Sequence, residues 1–478
     1  MPLLLPDLVW RGGAFHEGEA VDVDPSTGRI RAVIEAHDVG RTTDRPLRLP
    51  KRALLPGFVN GHSHAFQRLL RGHAQGRGAE GNADFWSWRD AMYSVALGLS
   101  PEDVYDASRF CFIEMMRAGY TSVGEFHYLH RDEQGRAYHD PTELARRVIS
   151  AAEDAGMRIC LLNVAYAAGG IRRPLEATQR RFATPDLEHF LLETADLAEA
   201  MTLRPLVSVG LAPHSIRAVP RSWLPSLHSL AYGMDLPIHM HVSEQPAEVA
   251  ACLDAWGQRP VEILADYGML DSLFTAVHAT HLTFREIEML ALPGPVVCAC
   301  PTTERDLGDG FLAAAELHEA GATIALGSDS QIVIAPLEEM RLIEYHERLR
   351  KQKRVVLTGQ GPEGTHEVGP ALIAMGTAAG ARSLRIDAGR IEPGALADLV
   401  AVDLDHLALV GWTRTTLAAL LSLAAPADVV SDVWVSGVHR VEGRYHPQEM
   451  DAAVAFRRVA RRFTPDVPAP APREEVVA

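Results

Sequence analysis

The stretch that decides the fold is Ala53-Leu54-Leu55-Pro56-Gly57-Phe58-Val59-Asn60-Gly61-His62-Ser63-His64. Its apolar run, Ala53–Asn60, is typical of a buried β-strand, and two histidines follow directly after it. Side chains at positions i and i+2 of a strand point the same way, so both imidazoles are expected to aim at one point. An isolated pair of this kind is more often two unrelated loop histidines. Whether these two belong to a common site therefore depends on the rest of the sequence.

Seven further apolar runs follow, and a helical pattern comes after each of them. They are Thr121–Phe126, Arg158–Tyr166, Leu206–Ala212, Leu236–Val242, Phe274–Ala279, Pro295–Ala299 and Thr323–Gly327. Strands that alternate with helices in this way predict an α/β fold, a (β/α)8 TIM barrel, whose chemistry lies at the carboxyl ends of the strands. Polar residues end these runs: His62/His64, Glu125/His127, His214, His241/Glu244, His278/His281, Thr302/Thr303 and Asp329.

Both chain ends are predicted to be β-rich. Residues 1–53 alternate short apolar runs with turn signals, and Ala397–Val402 and Val429–Val438 are similar runs near the other end. We expect the two ends to build one small β-sandwich. We predict four segments along the chain. Residues 1–53 form the N-terminal part of the sandwich, 54–384 the barrel, and 385–448 the C-terminal part of the sandwich. Residues 449–478 form a helix and a flexible tail, which is solvated from Pro465 to Ala478.

Composition narrows the class of protein further. The net charge of −16 argues against non-specific nucleic-acid binding, which needs a basic face. Five cysteines in a chain of 478 residues imply no disulfide framework. The first residues lack the features of a signal peptide, and no apolar run reaches the ~18 residues of a membrane span. The expected protein is therefore cytoplasmic, binds no membrane, and by base rates is a homodimer.

Histidines and an aspartate at four predicted strand ends favour a metal site. Besides His62 and His64, the fifth run ends in His239-Met240-His241, the sixth in His278, and the eighth in Asp329. Singly, His239 could pack in the core, His281 could cap a helix, and Asp329 could be an N-cap. Their joint placement at one face favours a divalent ion. Zinc takes imidazole ligands with water in such sites, and ferrous iron accepts the same donors.

At this point the chain resembles the amidohydrolase superfamily and, within it, the formimidoylglutamate deiminases of histidine degradation. The resemblance runs from about residue 54 to 440 and rests on phrases around the strand ends. These are Pro56-Gly57, His62 to Arg68, Phe85 to Asp90, Ala118 to Val123, Glu125 to Tyr128, His214 to Val219, His241 to Gln245, Val277 to His281, Thr302 to Glu304, Leu307 to Gly310 and Gly327 to Ser330. Arg305-Asp306 departs from the pattern, which leaves the contacts of its loop open.

The resemblance implies a metal-dependent deaminase of N-formimino-L-glutamate that yields N-formyl-L-glutamate and ammonia. It implies one zinc ion held by His62, His64, His241 and Asp329, and catalytic roles for Glu244, His278 and Asp329. It implies that the carboxylates of a small dicarboxylate substrate are held by Gln67, Arg89, Tyr128, His214 and Arg217. Two-metal relatives bridge their ions with a carboxylated lysine. No lysine lies between Lys51 and Lys351, which favours a single ion.

Other interpretations stay open at this level. Glu244 could be an ordinary acid in the first turn of a helix, and any one of 43 arginines is more often a surface residue. Another amidohydrolase deaminase, acting on guanine or a related ring, would need the same metal. A non-catalytic barrel scaffold would be expected to have lost one of these residues. The sequence does not choose between release of ammonia and cleavage to glutamate and formamide; only the resemblance does.

Overall fold

The computed structural model describes residues 3–41, 46–73, 75–76, 85–292, 294–361 and 364–463. Two large sheets organise it, one a barrel and the other a mixed sheet built from both chain ends. The predicted solvated tail, Pro465 to Ala478, lies outside the described residues. Among the helices that are described, none is long and apolar enough to cross a membrane.

Five strands precede the barrel along the chain. They are β1 (Leu4–Arg11), β2 (Ala14–Glu17), β3 (Glu19–Asp24), β4 (Arg29–Glu35) and β5 (Leu47–Pro56). Strand β1 is their centre, because it pairs antiparallel with β2 and β3 and parallel with β5.

The barrel consists of the next eight strands, joined in chain order by parallel pairing. They are β6 (Phe58–Ser63), β7 (Tyr120–His127), β8 (Arg158–Ala165), β9 (Val207–Pro213), β10 (Ile238–Val242), β11 (Phe274–His278), β12 (Val296–Ala299) and β13 (Thr323–Leu326). Most of these strands are buried along their whole length, which explains their near-continuous apolar sequences. The predicted barrel is therefore confirmed, strand by strand.

One predicted run is divided between the two sheets. The apolar pattern predicts a single strand over Ala53–Asn60, but β5 ends at Pro56 and β6 begins at Phe58. The backbone partner changes at this point, since Gly57 N–H donates to Asp398 O and Phe58 N–H donates to Gly119 O. Gly57 fits the crossing because an added Cβ would lie 2.2 Å from Thr121 Oγ1. Because the sequence is apolar on both sides of Gly57, the hydrophobic pattern does not show that the chain passes from one sheet to the other there.

After the barrel come a small hairpin and the last strands of the mixed sheet. The hairpin pairs β14 (Gly359–Gln360) with β15 (His366–Glu367), and the mixed sheet gains β16 (Leu399–Asp403), β17 (Val430–Val435) and β18 (Val438–Val441). Its order is β18-β17-β16-β5-β1-β3-β4, with β2 on β1. Strand β16 pairs with β5, which joins the two chain ends as expected. The domain boundaries given above stay predictions.

Fifteen α-helices surround the sheets within the described residues. They are α1 (Phe85–Gly98), α2 (Pro101–Arg117), α3 (Glu143–Ala155), α4 (Leu187–Met201), α5 (Leu224–Met234), α6 (Pro246–Trp256), α7 (Pro260–Asp266), α8 (Phe284–Leu290), α9 (Pro301–Leu307), α10 (Ala314–Glu319), α11 (Pro336–Lys351), α12 (Val368–Ala374), α13 (Gly380–Ser383), α14 (Leu417–Leu423) and α15 (Glu449–Phe463). A π-helical turn, Met375–Ala379, links α12 and α13. Local chemistry sets helix starts: Ser100 and Asp103 form a capping box before α2, with Pro101 in its first turn.

A buried ion pair joins the barrel to the mixed sheet. Arg158 in β8 donates from Nε and Nη2 to the Asp398 carboxylate at 2.7 and 3.1 Å. The same carboxylate accepts the Ser436 N–H at 2.7 Å, and Asp398 is 1% exposed. Such a pair fixes geometry, because either charge left alone in the interior is costly.

Candidate metal centre and active site

Four side chains from three strand ends meet at the top of the barrel. His62 lies in β6 and His64 directly after it, His241 lies in β10, and Asp329 follows β13. All four residues are buried, and their potential ligand atoms lie within 4.8 Å of one another. These are the four residues that the sequence predicts to hold a metal.

The spacing of this cluster would fit one divalent ion. Nε2 of His62 lies 3.1 Å from Nε2 of His241, and Oδ1 of Asp329 lies 3.4 and 3.3 Å from Nε2 of His62 and His64. Metal–ligand bonds of ~2.0–2.1 Å put neighbouring ligand atoms about 3.3 Å apart. Three imidazole nitrogens and a carboxylate oxygen are donors that zinc and similar divalent ions accept. The residues present therefore fit a divalent metal.

Protonation favours the same conclusion. Burial lowers the pKa of His62 to about 3, and burial also lowers the pKa values of His64 and His241. Burial alone would raise the pKa of Asp329, but a hydrogen bond from His62 and the neighbouring imidazoles hold it below its ordinary value. The cluster thus presents neutral imidazoles and an ionised carboxylate, the forms that bind metal.

Backbone carbonyls orient two of the imidazoles. Nδ1 of His64 donates to Phe126 O at 2.9 Å, and Nδ1 of His241 donates to His214 O at 3.0 Å. A ring whose Nδ1 carries the proton presents the Nε2 lone pair, here toward the centre of the cluster.

A chain of buried hydrogen bonds holds the first and last barrel strands together. Asn60 Nδ2 donates to Ser328 Oγ at 2.6 Å, and Ser328 Oγ donates to Gln331 Oε1 at 2.8 Å. Gln331 Nε2 donates to Ser63 Oγ at 3.0 Å, and Ser63 Oγ donates to Glu125 Oε2 at 2.6 Å. The two segments that carry three of the four ligands are therefore fixed to one another by side chains.

Backbone strain concentrates at the same strand ends. Ser243, His278, Ala279, Asp329 and Gln331 have φ values of 50°, 66°, 51°, 43° and 62°. Residues other than glycine seldom adopt this left-handed conformation, which costs on the order of 1–3 kcal/mol for each residue that is held in it. Hydrogen bonds such as those of Gln331 hold the backbone in this conformation. Because the strained residues lie beside the residues of the metal cluster, the strain favours a functional reason.

Two predicted catalytic residues stand beside the metal cluster. Nε2 of His278 lies 3.8 Å from Asp329 Oδ2 and 3.9 Å from Glu244 Oε1. Burial raises the pKa of the Glu244 carboxyl. Burial alone would lower the pKa of His278, but Glu244, Glu304 and Asp329 outweigh it and raise that pKa to about 10. An ionisable carboxyl and an ionisable imidazole are thus placed side by side at the cluster.

A cavity opens over these groups. All five residues predicted to bind substrate line it: Gln67, Arg89, Tyr128, His214 and Arg217. Glu244, His278 and Asp329 lie in the same wall, as do two metal-cluster histidines, His64 and His241. The structure therefore brings together all of the predicted substrate-binding and catalytic side chains.

The polar lining residues differ in how they are held. Gln67 Nε2 donates to Tyr128 Oη at 2.7 Å, so these two form one unit. The Arg89 guanidinium lies 5.3 Å from the centre of the Tyr93 ring. Nη2 of Arg217 lies 3.7 Å from Glu244 Oε2, and Arg217 Nε has no hydrogen-bond partner among the described residues. Arg217 makes no side-chain hydrogen bond in the part of the chain that the structure describes, so its guanidinium is suited to a carboxylate ligand.

Several residues of the cavity are not singled out by the sequence patterns. The additional lining residues are Phe85, Trp88, Met92, Tyr93, Tyr166, Phe182 and Leu307. Tyr166 ends the predicted run Arg158–Tyr166, so the strand-end criterion that selects His214 could have found it. Glu304, which faces Nδ1 of His278 at 3.4 Å, ends no predicted run, so that criterion misses it.

Some of the sequence alternatives are resolved by position. His239 turns away from the cluster, and its Nε2 donates to Ser383 O at 2.8 Å. His281, which could have been a helix cap, precedes α8, whose N-cap is Thr283. The divergent loop residues point elsewhere: Arg305 pairs with Glu338 at 3.1 Å, and Asp306 accepts from Gln75 at 2.8 Å.

The barrel and its strand-end cluster define a (β/α)8-barrel protein with a candidate site for a divalent metal. The chain belongs to the amidohydrolase family, whose sequence profile matches residues 53–439. It is an enzyme of the class that hydrolyses C–N bonds.

Particular relatives narrow the comparison. The chain is 37% identical over 409 residues to formimidoylglutamate deiminase of Pseudomonas aeruginosa, which covers 85% of this chain and 88% of that protein. It is 30% identical over 440 residues to 5-methylthioadenosine/S-adenosylhomocysteine deaminase of Natronomonas pharaonis, covering 92% and 91%. A solved amidohydrolase from Brucella melitensis superposes with a TM-score of 0.87 at 33% identity, covering 97% and 100%. The deaminase class is common to both named relatives.

Proposed function

We propose that the protein hydrolyses N-formimino-L-glutamate to N-formyl-L-glutamate and ammonia. The observation that carries the proposal is the pair of guanidinium groups, Arg89 and Arg217, in the wall of the cavity that contains Glu244 and His278. Two cationic groups suit a ligand with two carboxylates on a short chain. The 37% identity to a formimidoylglutamate deiminase supports the same substrate.

In this proposal a single zinc ion is held by His62, His64, His241 and Asp329. A divalent ion there acts as a Lewis acid and makes a water molecule a strong nucleophile near neutral pH. Ferrous iron could occupy the same donor set. The remaining chemistry falls to the side chains around the cavity.

Substrate binding is assigned to five side chains. Arg89 and Arg217 each take one carboxylate, and charge-assisted hydrogen bonds of this kind contribute on the order of 1.5–3 kcal/mol each. Gln67, Tyr128 and His214, which line the same cavity, complete the contacts. With both carboxylates anchored, the formimino carbon is held in the region where Glu244, His278 and Asp329 converge.

Proton transfer is assigned to the acid–base group beside the cluster. Addition of water to the formimino carbon gives a carbon that bears one oxygen and two nitrogens. His278 orients the water, and Asp329 accepts its proton. Glu244 shuttles protons to the terminal nitrogen, which takes up both protons of the water in all; its bond to carbon then breaks with release of ammonia. The oxygen stays on carbon as the formyl group, so one water is consumed and one ammonia is released.

The competing function is deamination of a purine-type ring. The Natronomonas pharaonis relative, a deaminase by name, keeps this alternative open. A neutral ring, however, offers no negative charge to the guanidinium groups of Arg89 and Arg217, whereas a diacid offers one carboxylate to each. The cavity therefore fits a diacid better than a ring.

The deciding experiment is an ammonia-release assay on the metal-loaded protein with a panel of substrates. We expect turnover of N-formimino-L-glutamate and a much lower kcat/KM for guanine and 5-methylthioadenosine. Glu244→Gln should keep the metal and lose roughly 100-fold or more in kcat. Preferential turnover of a ring substrate would overturn the proposal, and identification of glutamate and formamide as products would overturn the assigned leaving group.

A further inference from the structure

Glu248 is a buried carboxylate that the proposed mechanism does not use. It lies in the first turn of α6 and its side chain is 0% exposed. It also lines a second cavity of about 450 Å³, which shares Arg89 and Arg217 with the active-site cavity. A buried acid at this junction needs an explanation, because an interior carboxylate without a role costs free energy.

Two contacts tie Glu248 to both halves of the site. Its Oε1 lies 3.8 Å from Nε of Arg217, and its Oε2 accepts the backbone N–H of Glu244 at 3.3 Å. One side chain therefore touches the residue proposed to bind a carboxylate and the residue proposed to move a proton. Oε1 has no hydrogen-bond partner among the described residues, so its main interaction is electrostatic.

We propose that Glu248 is a positioning residue, which holds the Nε edge of Arg217 so that the Nη edge stays directed at the substrate cavity. This inference rests on the proposed function and its dicarboxylate substrate. It adds a residue that helps Arg217 to recognise one of the two substrate carboxylates.

The reason lies in the competition for Arg217. Its Nη2 lies 3.7 Å from Glu244 Oε2, so the guanidinium has carboxylates on two sides and a hydrogen bond to neither. If Glu248 were neutral, Arg217 would shorten its contact with Glu244. A substrate carboxylate would then have to break a buried ion pair, and Glu244 would be held in its ionised form. Balanced attraction from Glu248 leaves the donors of Arg217 available.

The charge of Glu248 depends in turn on Arg217. Burial raises the pKa of the Glu248 carboxyl to about 7, and Arg217 is the largest influence that opposes this rise. The two groups are thus coupled, and we expect a substitution of one residue to change the energetic contribution of the other.

The test compares Glu248→Gln with the native protein by calorimetry, using glutarate as a diacid probe and butyrate as a monoacid probe, both with metal-loaded protein. Glutamine keeps the size of the side chain and an acceptor for the Glu244 N–H. We expect the Kd for glutarate to rise roughly tenfold and that for butyrate to change less. Metal content should stay at the native value. In the Arg217→Met background, Glu248→Gln should have no further effect on glutarate binding.

A matched control is Glu344→Gln, since Glu344 is also a 0% exposed carboxylate and pairs with Arg348 at 2.6 Å, outside the cavity. It should leave the glutarate Kd unchanged even if it lowers stability. Tighter glutarate binding by Glu248→Gln would show that Glu248 only repels anions, and an equal effect with and without Arg217 would show a general structural role; either result overturns the inference. These readouts need no turnover, so failure of the assay for ammonia release would reject the proposed function separately.

Discussion

His278 is held between two carboxylates by opposite sides of its ring. Nδ1 lies 3.4 Å from Oε1 of Glu304, and Nε2 lies 3.9 Å from Oε1 of Glu244. The backbone N–H of Cys300 also donates to Oε1 of Glu304, at 2.9 Å, which fixes that oxygen. A carboxylate behind an imidazole sets the tautomer and the direction of the ring. Glu304 is therefore expected to govern what His278 presents to the cavity.

Replacement of this carboxylate should reduce turnover more than binding. Glu304→Gln is expected to lower kcat about 10- to 100-fold, because the ring of His278 loses its charged partner. KM and metal content should change little, since Glu304 does not line the cavity. Steady-state ammonia release and metal analysis check this.

Glu286→Gln provides the control for Glu304. Glu286 is 0% exposed and pairs with Arg259 at 2.6 Å, but it does not contact His278 within the described residues. If both variants lost kcat equally, Glu304 would be a stability residue only.

The structure predicts which histidines of β10 are needed for metal binding, which the histidine pattern in the sequence does not. His239 and His241 both lie in β10, two residues apart, but only His241 belongs to the cluster. His241→Ala should lose most of the bound metal and the activity. His239→Ala should retain one ion per chain, although loss of its hydrogen bond to Ser383 lowers stability by about 1–3 kcal/mol. Metal analysis of the purified variants decides, and two ions per native chain would contradict a single site.

Periodicity and strand ends are enough to predict the barrel and the histidines and acids at its strand ends, whereas Gln67, Arg89 and Tyr128 follow only from the resemblance. The rule that chemistry lies at the carboxyl ends of strands places His62, His241 and Asp329 together from the amino-acid sequence alone. The same rule extends to Tyr166, which ends a predicted run and lines the cavity. Local patterns therefore work where function follows the strand period.

What the sequence could not supply depends on contacts between distant residues. Glu304 meets His278 across 26 positions, and Glu248 meets Arg217 across 31 positions. Neither acid is assigned a role from the sequence, because each lies in a helix where an acid is ordinary, although Glu304 ends one of the phrases that carry the resemblance. The change of sheet at Gly57 is hidden for a related reason, since both strands that it joins are apolar.

The ion pair between Arg158 and Asp398 should dominate the junction of the two sheets. Asp398→Ala leaves a buried guanidinium without its partner and removes the acceptor for Ser436 N–H. We expect a loss of about 3–5 kcal/mol in the free energy of unfolding. Urea unfolding measures it. The exposed pair of Arg147 and Glu143 serves as the comparison, and Glu143→Gln should cost no more than about 1 kcal/mol.

A pH dependence is expected at Glu316, far from the metal centre. Burial alone would raise the pKa of its carboxyl, but hydrogen bonds from Arg350 and Lys351 outweigh it and lower that pKa to about 2. Because folding lowers the pKa, the ionised group stabilises the protein above its ordinary pKa near 4.5, and this contribution is lost as the pH falls toward 2. The test compares the unfolding free energy of the native protein with that of Glu316→Gln. The difference should be about 1 kcal/mol or less, because the ion pair is partly exposed to solvent. It should be constant from pH 8 to 6 and become smaller below pH 4.5. A difference that grows on acidification would reverse the sign and reject this explanation.

The two cavity arginines give the sharpest test of the substrate. If each binds one carboxylate in a site that excludes water, Arg89→Met and Arg217→Met should each lose on the order of 2–4 kcal/mol in transition-state stabilisation of N-formimino-L-glutamate. At least one variant should also lose the preference for the diacid over a formimino monoacid, because the monoacid never used that contact. Arg221→Met is the control, since Arg221 follows Arg217 in the same loop and stacks at 4.4 Å on Trp256 outside the cavity lining. It should leave kcat/KM and the diacid preference unchanged. Equal losses on diacid and monoacid in both cavity variants would mean that the arginines support the fold, because a missing carboxylate contact cannot penalise a substrate that lacks the carboxylate.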